Sequence, residues 1–172
     1  LEPKEIQKSQ NGYIYDFGQN CAGVLELEIK GRKGQRITAR HAEVLLNGEL
    51  FTKPLRSAKA KLEYVCGGEE ETYCPKFTFM GFRYAELCGI EPENVKVRMK
   101  VISSIDEETG DFFCSNESIN RLQKNIRYSG FSNFLEIPTD CPQRDERLGW
   151  TGDISVFAST ACFNFNMNRF LR

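Results

Sequence analysis

Short apolar runs, each ended by a turn that contains glycine, fill the chain from Gly12 to about Val101. Within these runs the apolar side chains often alternate with polar ones, which is the period of a half-buried β-strand. In the stretch VLELEIKGRKGQRITAR, two such runs flank the charged, glycine-rich turn at residues 30–34. The pattern predicts antiparallel strands, and two sheets of such strands packed face to face would form a β-sandwich.

After about residue 104 the spacing of apolar residues becomes helical. An acidic connection, SIDEETGDFF, leads to Ser115 and Asn116, either of which can cap the start of a helix. The apolar side chains that follow at intervals of three and four are Ile119, Leu122 and Ile126. This spacing predicts an amphipathic helix.

Residues 153–172 form a second candidate helix with a broad apolar stripe and no glycine, proline or polar tail to end it. The stripe contains Ile154, Phe157, Ala158, Ala161 and Phe165. Two such helices cannot fully bury each other's apolar faces. We therefore expect a β-sandwich domain over residues 1–105 and, over residues 106–172, the beginning of a larger all-helical domain.

The charge balance disfavours a nucleic-acid partner. The chain of 172 residues has 23 basic and 24 acidic side chains, and no basic run is interleaved with aromatic residues. No apolar stretch approaches the length of a membrane-spanning helix, so we expect no membrane partner. An apolar fraction of 40% suits an ordinary globular core.

The seven cysteines are scattered, without a CxxC pair and with only one histidine in the chain to help bind a metal. We expect mostly reduced thiols and no metal site. Reduced thiols favour the cytoplasm over the periplasm, but a chain with few close cysteine pairs also survives in a periplasm, so the compartment stays open.

The stretch DCPQRDERLGWTGD, residues 140–153, contains four carboxylates, two arginines and the single tryptophan. Its prolines and glycines place it in a loop between the two predicted helices. Sugar-processing sites use this mixture: carboxylates for proton transfer and hydroxyl binding, an arginine to orient them, and an aromatic face for the sugar ring. Equally, the loop could be a surface salt-bridge network with Asp153 as a helix cap. The neighbours Asp145 and Glu146 cannot both face one pocket, so one of them is expected to pair with Arg144 or Arg147.

The longer string PTDCPQRDERLGWTGD resembles the signature at the start of the catalytic domain of bacterial α-L-rhamnosidases, glycoside hydrolase family 78. The segments DFGQNCAG, RHAEVL, FTFMGFRY and GDFFCSNESINRL are similar to that family as well, so the resemblance runs from about Tyr13 to Arg172. It implies a β-sandwich followed by the first helices of an (α/α)6 barrel, and hydrolysis of terminal α-L-rhamnose with inversion. It implies no cofactor.

By position in the motif, the resemblance assigns Glu146 as the general acid that protonates the glycosidic oxygen, which requires it to hold a proton near neutral pH. Asp140 and Asp153 would hold the rhamnose hydroxyls, Arg144 would contact the sugar, and Trp150 would form an apolar wall for the C6 methyl group. The general base of the family lies beyond residue 172, so we expect this chain alone to be inactive. The implied partners are a rhamnose-containing glycoside or polysaccharide and the remainder of the catalytic barrel.

Motifs in the β region have structural interpretations. His41 and Glu43 are two apart on a predicted strand and share a face, which favours a hydrogen-bonded structural pair over a catalytic or metal pair. Arg83 is expected to anchor a strand or a domain interface. Met80 stands where the family often has histidine, and we expect altered packing there.

Two other functions stay open. A non-catalytic carbohydrate-binding β-sandwich module would keep the sheet, but it needs no proton donor beside two further acids. A different (α/α)6-barrel glycosidase would share Glu146 as its acid and would differ in Trp150 and in the acids that bind hydroxyls.

Overall fold

The computed structural model describes residues 1–172, which divide into two compact units. The β unit contains Leu1–Val101 and Gln143–Asp145, and the helical unit contains Ile102–Pro142 and Glu146–Arg172. The strands are β1 Glu5–Lys8, β2 Tyr13–Lys30, β3 Arg36–Ala42, β4 Leu45–Leu46, β5 Glu49–Leu50, β6 Lys61–Val65, β7 Glu70–Tyr73, β8 Met80–Cys88, β9 Val95–Val101, β10 Phe134–Leu135 and β11 Ile137–Pro138. The helices are α1 Glu117–Asn133 and α2 Thr151–Asn164.

The 18-residue strand β2 organises the β unit, because four other strands pair with it. Strands β1 and β8 pair within residues 13–23 of β2, and strands β9 and β7 pair within residues 23–30. A bulge lies between Asp16 and Cys21 in the pairing with β8. Strands β3 and β6 extend the sheet beyond β8, and every pairing is antiparallel. This arrangement agrees with the predicted antiparallel strands and is consistent with a β-sandwich.

Alternation along β2 decides which side chains enter the core. Leu25, Leu27 and Ile29 are almost completely buried, whereas the intervening glutamates are partly exposed. On that outer side Glu26 pairs across the sheet with Arg98, at 3.1 Å between Oε2 and Nη1. Each buried leucine or isoleucine contributes about 1.5–3 kcal/mol relative to exposure, so this face fixes the register of the strand.

The structure confirms the strand-anchoring role of Arg83. Its guanidinium donates two 2.8 Å hydrogen bonds to the two carboxylate oxygens of Asp16 on the neighbouring strand. This ion pair, chiefly through the Arg83 hydrogen bonds, lowers the pKa of Asp16.

The predicted pair of His41 and Glu43 is wrong, since each side chain has another partner. Nδ1 of His41 lies 2.8 Å from the carbonyl oxygen of Ala60, and the ring packs edge-on against Phe82. Glu43 lies one residue past the end of β3 and accepts a 2.8 Å hydrogen bond from Nδ2 of Asn20. The strand ends before residue 43, so the two side chains no longer follow one alternating face.

The helical unit has its own small core of Ile105, Phe134, Ala161, Phe165 and Met167. As expected, Asn116 caps α1, and its Oδ1 accepts hydrogen bonds from the backbone N–H groups of Ser118 and Ile119. Neither helix combines the length and apolar character that crossing a bilayer demands.

The prediction that the second helix runs to residue 172 is wrong, because α2 ends at Asn164. Phe165 is extended, and the amide of Asn164 donates to the Thr160 carbonyl oxygen at 2.8 Å while its oxygen accepts from Gln123. Asparagine at 164, 166 and 168 offers the backbone local hydrogen bonds that compete with helix continuation. The apolar stripe alone therefore overestimated the length of the helix.

Candidate functional site

The acid-rich segment is a loop between β11 and α2, and the two ends of this loop pair with each other in the helical unit. Thr139 and Gly149 form an isolated antiparallel bridge, and the Trp150 N–H donates to the carbonyl oxygen of Pro138 at 3.3 Å. A side chain at position 149 would place its Cβ 2.9 Å from Cδ1 of Ile137, so glycine permits this close approach. The bridge holds the two ends of the loop together and lets residues 140–148 project from one base.

Three of the five predicted site residues line one pocket. Asp140, Trp150 and Asp153 share a cavity of about 300 Å³ in the helical unit. The rest of its wall is mostly apolar and comes from α1, β10, β11 and α2, with Phe134, Pro138, Ile154, Val156 and Phe157 among the contributors. The pocket therefore combines two carboxylates with an extended apolar surface, as binding sites for small polar ligands do.

The two pocket carboxylates interact directly. A side-chain hydrogen bond with Asp140, reinforced by the charge of Asp140, raises the pKa of Asp153. Two carboxylates can be hydrogen-bonded only when one of them carries a proton. Carboxylate oxygens accept hydrogen bonds, so both side chains can accept from the hydroxyl groups of a sugar. The interpretation of Asp153 as the helix cap is wrong: Trp150 is the N-cap residue, without a side-chain cap, and Asp153 lies in the first turn.

Glu146 is half-buried and lies in a cluster with Asp140 and Cys141. One carboxylate oxygen of each acid and Sγ of Cys141 lie within 4.8 Å of one another. The thiol donates to Oδ2 of Asp140 at 3.1 Å and lies 3.9 Å from Oε2 of Glu146. By distance and ligand type the three groups could hold Zn²⁺, which binds thiolate and carboxylate, but the thiol proton already links them. The sequence had not singled out Cys141.

The middle of the loop, residues 143–145, belongs to the β unit. Arg144 is half-buried and does not line the pocket. Asp145 accepts hydrogen bonds from both the backbone N–H and the hydroxyl of Ser57, and its Oδ1 lies 3.9 Å from Nη1 of Arg56. The Ser57 hydroxyl is the main cause of a lowered pKa at Asp145. Ser57 is 88 positions away in sequence, and no local pattern signals this contact.

All seven cysteines lack disulfide partners, in agreement with the expectation of reduced thiols. The burial of Cys21 raises the pKa of its thiol to about 11, so this side chain is a core residue and a poor nucleophile.

Two family models match the chain in succession. Residues 6–106 match the bacterial alpha-L-rhamnosidase concanavalin-like domain, and residues 107–172 match the bacterial alpha-L-rhamnosidase 6 hairpin glycosidase domain.

Individual relatives agree with these models. An alpha-L-rhamnosidase of Streptomyces avermitilis is 44% identical over 99% of this chain, which corresponds to 17% of the relative. The crystal structure of an alpha-L-rhamnosidase from Aspergillus terreus superposes with a TM-score of 0.91 at 44% identity, over 99% of this chain and 20% of that one. A Streptomyces avermitilis alpha-L-rhamnosidase complexed with L-rhamnose gives a TM-score of 0.90 at 40% identity, over 99% of this chain and 17% of that one. The chain thus spans about a fifth of the length of these relatives.

Proposed function

Because the chain belongs to the bacterial α-L-rhamnosidase family, we propose that it is part of an inverting glycoside hydrolase that removes terminal α-L-rhamnose from glycosides or polysaccharides. The observation that carries the proposal is the pocket in which Asp140, Trp150 and Asp153 meet, with Glu146 next to Asp140. The relative solved with L-rhamnose supports the choice of sugar.

In this proposal the pocket binds the rhamnose ring. Asp140 and Asp153 share a hydrogen bond now, and each would exchange it for a bond to a sugar hydroxyl on binding. Trp150 is 51% exposed. The C6 methyl group of rhamnose would pack on its indole and on the neighbouring apolar wall of the pocket. A deoxy sugar suits such a wall because its methyl group needs no hydrogen bond. Arg144 would be a further sugar contact.

Glu146 would act as the general acid and protonate the departing glycosidic oxygen as the C1–O bond breaks. The carboxylate that activates water in an inverting reaction stands roughly 6.5–9.5 Å from the acid, to leave room for that water. We propose that this base is a glutamate outside the present chain, so that the chain alone binds rhamnosides weakly and does not turn them over.

We also propose a domain assignment: residues 1–105 form a β-sandwich domain, and residues 106–172 form the first part of an (α/α)6 barrel. The description of the second family model as a 6 hairpin glycosidase domain supports the helical part of this assignment.

The test compares hydrolysis of aryl α-L-rhamnosides, α-D-mannosides and α-D-glucosides by the full-length protein that carries this chain. Selective release from the rhamnoside is expected, and proton NMR should show the β-anomer of rhamnose as the first product. Glu146→Gln should lower kcat about 10²–10⁴-fold for an alkyl leaving group and far less for dinitrophenol, which departs without protonation.

Glu117→Gln is the matched control, because Glu117 is an exposed glutamate in the first turn of α1. It should leave both rates near those of the unmodified protein. Equal losses for good and poor leaving groups in Glu146→Gln would contradict the acid role, and turnover of none of the three glycosides would contradict the enzyme proposal in favour of a binding module.

A further inference from the structure

We infer that Asp145 is a positioning residue, which fixes the segment of the loop that carries Arg144 and Glu146 by its bonds to the turn at Arg56 and Ser57. The inference rests on the proposed function, since it matters only if the neighbours of Asp145 bind sugar and donate a proton. Asp145 is the one carboxylate of residues 140–153 that has no role in the proposed mechanism.

The first argument is that both carboxylate oxygens of Asp145 have a partner in this turn. Both Ser57 donors converge on a single oxygen, Oδ2 of Asp145, while Oδ1 faces the guanidinium of Arg56. Hydrogen bonds to an ionised carboxylate are shorter and stronger than bonds between neutral groups. Two hydrogen bonds and a nearby guanidinium restrict the rotation of the Asp145 side chain, and its backbone is restrained with it.

The second argument is that the turn is shaped in advance. A 3₁₀ turn at Lys53–Leu55 is anchored by buried Leu55, and Arg56 follows with φ 55° and ψ −118°. Such a conformation is strained for a side chain other than glycine and persists only where the surroundings enforce it. Ser57, the next residue, donates both its N–H and its hydroxyl to Asp145.

The third argument is a second attachment of the same segment. Gly81 of β8 lies so close to Gln143 that a Cβ at position 81 would be 2.9 Å from the backbone nitrogen of Gln143. The segment therefore lies close to β8 at residue 143 and is hydrogen-bonded to Ser57 at residue 145. Arg144 lies between these two points, and Glu146 is the next residue after the second.

The consequence for catalysis follows from geometry. A general acid must come within hydrogen-bond reach of the leaving oxygen, and a displacement of about 1 Å can cost roughly 10²-fold in rate. Releasing Asp145 would let the peptide at Glu146 move without unfolding either unit.

The experiment uses the full-length protein, with kcat and KM measured on an alkyl and on a dinitrophenyl α-L-rhamnoside. Asp145→Ala should lower kcat about 10²-fold on the alkyl substrate and by no more than about threefold on the dinitrophenyl substrate, because the latter needs no positioned acid. Ser57→Ala, which keeps the backbone donor, should show the same selectivity at about tenfold, and Ser57→Thr should restore most of that loss because it restores the hydroxyl.

Asp106→Asn is the matched control, since Asp106 is an exposed aspartate whose Oδ2 lies 3.2 Å from Nη1 of Arg169, away from the loop. It should not change either rate. Thermal unfolding of each variant accompanies the kinetics. If Asp145→Ala does not fold, the comparison of Ser57→Ala with Ser57→Thr decides the question.

Glu146→Gln in the same assay separates the two proposals. If Glu146→Gln is selective for the alkyl substrate while Asp145→Ala and Ser57→Ala slow both substrates equally or neither, the positioning role is overturned and the proposed function stands. If Glu146→Gln itself shows no selectivity, the proposed function fails first, and the inference fails with it.

Discussion

Protonation of His41 should destabilise the β unit by an amount that can be worked out from its burial. His41 is 1% exposed and lies between the Ala60 carbonyl and the ring of Phe82. Burial lowers its pKa from 6.5 to about 4, and the weaker opposing effect is the hydrogen bond to Ala60. At about 1.4 kcal/mol per pKa unit, this shift corresponds to about 3 kcal/mol of unfolding free energy.

The sign follows from proton binding. Between pH 6.5 and about 4 the unfolded chain binds a proton at His41 that the folded chain does not, so acid favours unfolding. The contribution is fully present above pH 6.5 and is lost as the pH falls through this interval. Replacing His41 with asparagine keeps an amide N–H near the position of Nδ1 but removes the titrating group.

Two measurements check this reasoning on the 172-residue chain. Because the chain contains a single histidine, its imidazole NMR signals report the pKa without assignment, and they should show a neutral ring at pH 5. Urea unfolding at about pH 7.5 and about pH 4.5 should show a loss of stability that is about 2.5 kcal/mol smaller in His41→Asn than in the original chain. Ala39→Gly, a destabilising change on the same strand, should keep the original pH dependence. A histidine that titrates near 6.5 in the folded chain would refute the reasoning.

Three further changes test other contacts. Asp16→Asn should lower the free energy of unfolding in urea by about 1.5–3 kcal/mol above pH 4. The loss should become smaller in more acid solution, because Arg83 lowers the pKa of Asp16 and the ion pair disappears when that carboxylate is protonated. An equal loss at all pH values would argue against the ion pair. Asn116→Ala should lower the stability of the helical unit by about 1 kcal/mol through loss of the cap, whereas Asn116→Asp should not, as far-UV circular dichroism melts can verify. Asp153→Asn should reduce the change in the free energy of unfolding with pH above pH 3.8. The raised pKa of Asp153 means that its bond to Asp140 is present in acid and is lost as the pH rises. An unchanged pH dependence would rule out the shared proton.

Local sequence patterns predicted the features of the fold that depend on local forces. The alternation at Leu25, Leu27 and Ile29 gave the correct buried face, because side chains in a strand point to opposite sides. Asn116 was one of two predicted caps, and a cap depends only on the residues within the next turn. The extent of α2 was not predicted, since the position of Phe165 in the core depends on the tertiary packing of Phe131 and Phe134 against it.

The acid-rich loop also combines features that its local sequence predicts with features that depend on the tertiary fold. Its composition suited a sugar site and a surface salt-bridge network equally, and three of the five residues that the family resemblance assigned line one pocket. The partners of Asp145 could not be predicted, because Ser57 meets it only through the tertiary fold. The pairing of Asp140 with Asp153 depends on how the bridge at Thr139 and Gly149 closes the loop, which spacing alone does not specify.

The sharing of strand β2 among so many partners has a consequence during synthesis of the chain. Strand β2 is complete at Lys30, yet β8 and β9 end only at Cys88 and Val101. At roughly 5–20 residues per second, the ribosome needs several seconds to deliver both partners. During that interval the second half of β2, with its apolar face, emerges with both edges unpaired, which is the condition under which strands aggregate. We therefore expect nascent β2 to be bound by holdase chaperones until residue 101 has emerged.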